Sequence, residues 1–253
     1  MTWISNIFRK KKPTPAPTPA PVPVPGAATF IESFATIDPS KWMISTWSAP
    51  GTNSTHKGTF SAANVTIVDG MLCLKLSQTK SGTMFTSAGG EIATNQSFGY
   101  GTYEFVARAS TTSTTPVGVG TPVSGSVTGC FNYLAGSATE IDVEVEGGSR
   151  SALTQFTSWV GVSTPNQTLV ISPTGSMATP DQTFFTYRFV WSPGKIVFSR
   201  DGVIVATFTN VVPTQPAQFI FNHWGTNDPN WGGTATPGVD RFMYVKSFSF
   251  TPL

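Results

Sequence analysis

Apolar and polar residues alternate along the chain in short runs broken by turn signals, and no stretch carries a sustained helical period. Asn64 to Gln78 reads as two strands around an Asp69-Gly70 turn. Lys195 to Phe208 reads as a hairpin across Asp201-Gly202, because Asp-Gly tolerates the positive φ a tight hairpin requires. From about residue 29 the composition is rich in Thr, Ser, Gly, Val and Phe, and no internal repeat is visible. Many short strands in one segment of this length predict an all-β, antiparallel β-sandwich or jelly roll.

The alternation is sharpest in Thr139-Glu140-Ile141-Asp142-Val143-Glu144-Val145-Glu146-Gly147. Only 13 residues of 253 are acidic, yet four stand here at every second position. A strand of this pattern puts Glu140, Asp142 and Glu144 on one face and the β-branched residues on the other, half-buried. Like charges side by side are costly, and crowding separates carboxylate pKa values, leaving a protonated acid beside an ionised one near neutral pH. A two-carboxylate glycosidase uses that combination. Glu140 and Glu144 have Cα atoms about 13 Å apart on a flat strand, so only leaning side chains on a bent strand would bring them together. Spacing alone is equally compatible with a solvated face whose acids pair with Lys or Arg.

Charge divides the chain. The formal net charge is +2, but Arg9, Lys10, Lys11 and Lys12 account for four of the 15 basic residues; 11 basic against 13 acidic leaves about −2 for the rest. The globular part is therefore not a nucleic-acid binder by charge. In residues 1–12, Trp3, Ile4, Ile7 and Phe8 would share one helical face beside the basic run, the pattern of an interfacial anchor or docking peptide. It does not read as a cleavable secretory signal, because the charges follow the apolar residues. Residues 13–28 form a Pro-rich linker with proline at every odd position from Pro13 to Pro25, an extended spacer reaching roughly 40 Å. An anchor and spacer predict attachment to a larger particle such as a virion, or to a membrane surface, with an extracellular or particle-associated location and a monomeric enzyme.

Resemblance sharpens the chemistry. Glu140-Ile141-Asp142-Val143-Glu144 matches the ExDxE signature of family 16 of the glycoside hydrolases, the group of lichenases, laminarinases and xyloglucan transglycosylases. Gly89-Gly90-Glu91 through Phe98-Gly99-Tyr100-Gly101-Thr102-Tyr103-Glu104 resembles its GGE…YGYGxYE segment. Cys130 to Tyr133 stands where the family places the strand before the catalytic one, and Phe30 to Trp47 looks like its opening strand. Thr186 to Ile196 with Asp201-Gly202 is similar to its TYxFxWxPxxI…DG hairpin, and Asn222-His223-Trp224 with Trp231-Gly232-Gly233 to its late NxW…WxG segment.

The resemblance covers residues 29–253 and implies a concanavalin-like jelly roll whose curved sheet forms a substrate cleft. It implies a retaining, endo-acting hydrolase of β-linked polysaccharide such as a β-1,3/1,4-glucan. Glu140 would be the nucleophile, Asp142 its electrostatic assistant and Glu144 the acid and then base. Trp159, Trp224 and Trp231 fall at cleft aromatics, and Glu91 and Asn222 at polar substrate contacts. Aromatic faces suit the C–H faces of sugar rings, though packing roles for Trp159 and Trp224 stay open. A transglycosylase on the same residues, and a non-catalytic carbohydrate-binding or structural surface protein, are the alternatives. Departures from the lichenase pattern concern substrate reading: Ala138-Thr139 replaces a Trp-Asp pair, Ala93 replaces an Arg, and an Asn near Thr157 is missing. Glu146 has no counterpart and reads as a solvated rim acid. No cofactor is expected, although the family leaves room for a structural calcium ion. His56 and His223 lack metal-ligand spacing, and Cys73 and Cys130 read as buried thiols with a bridge left open.

Overall fold

The computed structural model describes residues 29–49, 53–162, 165–171 and 179–253. The N-terminal peptide and the Pro-rich linker lie outside these residues. Sixteen strands run through the described part: β1 Phe30–Glu32, β2 Trp42–Ile44, β3 His56–Phe60, β4 Val65–Val68, β5 Met71–Ser81, β6 Met84–Phe98, β7 Gly101–Thr111 and β8 Ser126–Leu134. They continue as β9 Thr139–Glu146, β10 Thr154–Trp159, β11 Gln167–Ile171, β12 Phe185–Ser192, β13 Lys195–Arg200, β14 Val203–Phe208, β15 Ala217–Gly225 and β16 Arg241–Pro252. No helix among the described residues is long and apolar enough to cross a membrane.

The strands form two layers, as an all-β chain with one apolar face per strand must. One layer has the order β11-β10-β9-β8-β15-β6, and the other β5-β16-β7-β12-β13-β14. Nearly every pairing is antiparallel; the exception is β3 against β6. β5 and β6 join the layers: β5 pairs β16 through Leu72 to Leu76 and β6 through Ser77 to Ser81. Both Asp-Gly turns form as the sequence predicts, with positive φ at Asp69, Gly70, Asp201 and Gly202. Phe30 to Trp47 is not one opening strand. It is split around the Asp38 turn, where the Asp38 carboxylate accepts the Ser40 N–H and hydroxyl. Its two pieces then join different layers, β1 on β16 and β2 on β6.

Between the layers lies an aromatic core. Phe219 stacks on Phe248 with ring centroids 4.2 Å apart, Tyr103 on Phe189 and Phe98 on Phe250 at 4.5 Å each. Offset and edge contacts of this kind add about 0.5–1.5 kcal/mol per pair beyond area burial. Ile141 and Val143 of β9 and Phe156 of β10 point into this core. That choice of face commits the alternate residues of β9, the acids, to the opposite side. The core thereby positions the site.

Candidate active site

Registers across β10, β9, β8 and β15 define rungs on the acid face. Trp159, Glu140, Tyr133 and Gln218 form the first; Thr157, Asp142, Phe131 and Ile220 the second; Gln155, Glu144, Gly129 and Asn222 the third. Glu146, Val127 and Trp224 form the fourth. The three acids of the signature thus occupy successive rungs, with aromatic and neutral polar neighbours on both sides. Among the described residues none of the three joins an ion pair; the pairs formed are Lys41–Glu32, Lys75–Asp240 and Arg150–Glu146. The solvated, Lys- or Arg-neutralised face that spacing allowed is therefore not what forms. The strand is also more covered than a half-buried one: Asp142 is only 3% exposed, and Glu140 and Glu144 are largely buried.

This burial without counter-ions sets the electrostatics. Desolvation pushes the Glu140 carboxyl up to about 7, with a hydrogen bond from the Ser137 side chain opposing the rise. Glu144 is pushed up to about 8, first by desolvation and then by the charges of Glu140 and Glu146. Asp142 is driven well above the carboxylate range by desolvation and its two neighbours, opposed by a hydrogen bond with Trp159. The three share protons as a set, so their titration belongs to the cluster. Near neutral pH it can hold one ionised carboxylate and one protonated acid along a single strand.

The third rung has an unusual floor. A Cβ on Gly129 would lie 2.5 Å from Asn222 Oδ1, so only glycine leaves that gap between Glu144 and Asn222. Asn222 donates through Nδ2 to Glu91 at 3.1 Å, and Ser45 Oγ donates to the other Glu91 oxygen at 2.6 Å. Burial raises the Glu91 pKa against these hydrogen bonds. Among the described residues, Asn222 Oδ1 accepts no hydrogen bond. Trp159 and Trp224 are half-buried on the acid face. Trp231 belongs to a tight turn in which its N–H donates to the Asp228 carbonyl.

Several sequence expectations change. Glu146 is not a solvated rim acid: it is 1% exposed, because three donors converge on it. Arg150 Nη2 lies 2.5 Å and Gln155 Nε2 2.6 Å from Oε1, and the Gly232 N–H donates to Oε2 at 2.7 Å. Thr139 does not read substrate. It shares the parity of Ile141, is fully buried, and donates to the Gln215 carbonyl at 2.7 Å. Ala93 is buried as well, on β6 opposite Ile220. Trp47 escaped the sequence reading; it is 48% exposed beside Phe60, two residues past Ser45, whose N–H donates to the Glu91 carbonyl. Cys73 and Cys130 are free, buried thiols. His56 and His223 are buried, bonded to Ser87 and to Leu74 and Ser110. No group of three His, Cys, Asp or Glu among the described residues is placed to hold a metal ion.

Known proteins share this architecture. Endo-1,3-1,4-beta-glycanase ExoK of Rhizobium meliloti is 30% identical over 232 residues, 88% of this chain and 78% of that protein. A beta-1,3-1,4-glucanase (lichenase) derived from a mouse hindgut metagenome superposes with a TM-score of 0.74 at 23% identity, over 90% of this chain and 100% of that one. The Bacillus licheniformis beta-glucanase gives 0.74 at 22% identity, over 90% and 99%. The family model for the glycosyl hydrolases family 16 matches residues 52–239, which include the acid strand and both of its neighbours. This chain belongs to the glycosyl hydrolases family 16.

Proposed function

We propose that the protein is a retaining, endo-acting hydrolase of β-linked glucan or a related glycan, with Glu140 as nucleophile, Asp142 as assistant and Glu144 as acid and base. The observation that carries this reading is the acid row: three carboxylates on successive rungs, Asp142 buried and Glu140 and Glu144 partly covered, free of ion pairs among the described residues, with opposed protonation needs. Ionised Glu140 attacks the anomeric carbon while Glu144 gives its proton to the leaving glycosidic oxygen, and the C–O bond breaks. Glu144, now ionised, takes a proton from water; that water attacks the anomeric carbon and the glycosyl ester to Glu140 breaks. Asp142, placed between them, bonded with Trp159 and favoured in its protonated form by burial and by its two neighbours, orients the nucleophile. Trp159, Trp224 and Trp231 supply ring faces for sugars, and Glu91 and Asn222 a polar contact on the floor.

The glycanase and glucanase names of the relatives support a β-glucan substrate. Reducing-end release on lichenan, laminarin, xyloglucan and agarose tests it, with the largest rate expected on a mixed-linkage or β-1,3-linked glucan. No release on any of the four would contradict the substrate class. Products longer than the added oligosaccharide would show transfer to sugar in place of water. Residues 1–12 and 13–28, by their sequence, would tether this enzyme to a particle or membrane surface.

A further inference from the structure

Glu146 stands on the acid face one rung beyond Glu144, and the reaction above does not use it. Its partners are all donors: the Arg150 guanidinium, the Gln155 amide and the Gly232 backbone N–H. Donors converge on both carboxyl oxygens, one of them a guanidinium, and such charge-assisted contacts fix the group in place. Gln155 is also the cross-strand partner of Glu144, so the network that fixes Glu146 abuts the acid directly. Gly232 is fixed in turn, its carbonyl accepting the N–H groups of Gly125 and Ser126.

We propose that Glu146 is a positioning residue acting through Glu144: a carboxylate fixed on the neighbouring rung whose charge keeps the proton on the general acid. The inference rests on the assignment of Glu144 as the acid. A negative charge two residues along a covered strand face disfavours a second one, and the electrostatics of Glu144 carry this contribution from Glu146. Other groups bearing on Glu144 are Asp142 and Glu140 on its own strand and the Cys130 thiol on β8; Arg150, beyond the strand end, pairs with Glu146. From β10 and β15 it meets the neutral amides of Gln155 and Asn222, the latter bonded to Glu91 on β6. Arg150 is partly exposed, so its positive charge is screened by water more than that of Glu146.

The test is the pH profile of kcat/KM for Glu146→Gln, Arg150→Gln and the double variant, each checked for folding by its melting transition. Glu146→Gln should move the alkaline limb to lower pH by about one unit. Arg150→Gln, which removes a positive charge from the same network, should move it to higher pH, and Glu146→Asp should restore the wild-type limb. The double variant should fall between the singles. A purely structural role predicts lower rates with an unmoved limb, or limbs shifted the same way in both singles; either result would overturn the proposal. Full activity in Glu144→Gln would instead overturn the assignment of the acid itself, so the two failures are distinguishable.

Discussion

Glu140 and Glu144 sit on one strand, but their surroundings differ: Glu140 has the Ser137 hydroxyl beside it, whereas Glu144 has the charge of Glu146. In the proposed mechanism that difference separates a nucleophile from an acid. Replacing either with Gln should lower turnover by about 10³-fold or more without unfolding the domain, measured as initial rate beside circular dichroism. Activity should peak in a bell between about 7 and about 8, losing ionised Glu140 on the acid side and protonated Glu144 on the alkaline side. The same shifts carry a stability consequence. The folded pKa of Glu144 is raised from 4.5 to about 8, so its contribution is fully favourable below about pH 4.5 and is lost as pH rises to about 8. Glu144→Gln should therefore be more stable than wild type at pH 8, by on the order of 4 kcal/mol, with the difference nearly gone near pH 4. Thermal melts at the two pH values check this; an unchanged difference would mean Glu144 is not held in a desolvated site. His223, buried neutral with its pKa lowered to about 3, works in the opposite direction below about pH 6.5, but both proteins carry it and it cancels in the comparison.

Strands deliver these residues through parity. With Ile141 and Val143 drawn into the aromatic core, Glu140, Asp142, Glu144 and Glu146 face out together. Gly129 on the adjoining strand should also be sensitive to small changes, because a methyl group there meets Asn222 Oδ1. Gly129→Ala should cost on the order of tenfold or more in kcat/KM, with about 1–3 kcal/mol lost in denaturant melts. Equal activity would show that the gap beside Glu144 is not used. Period-2 alternation and the Asp-Gly pairs made the strands and both hairpin turns legible in the sequence, and motif order made the family legible. Parity could also have shown that Thr139 faces the core with Ile141. Other features were not readable because they depend on distant chain segments. Glu146 is fixed partly by Gly232, 86 residues away, and the acids are covered by neighbouring strands whose positions no local pattern specifies. The split of Phe30 to Trp47 between two layers likewise depends on which long strands it meets.

The whole domain is a scaffold for one covered row of acids, and residues 29–253 contain every group assigned to the chemistry. Deleting residues 1–26 should therefore leave turnover of a soluble oligosaccharide unchanged, and the proposed tethering predicts that it removes co-sedimentation with particles or membranes; equal co-sedimentation would refute the tether, and a large loss of soluble turnover would show that the N-terminal part reaches the cleft. The central claim is double displacement through Glu140. It is tested most directly by incubating the protein with an activated 2-deoxy-2-fluoro β-glucoside and mapping the adduct by peptide mass spectrometry. A stable glycosyl ester on Glu140 is the expected result. A label on Glu144, or an initially inverted, α-configured product from the natural glycan with no adduct, would contradict the account.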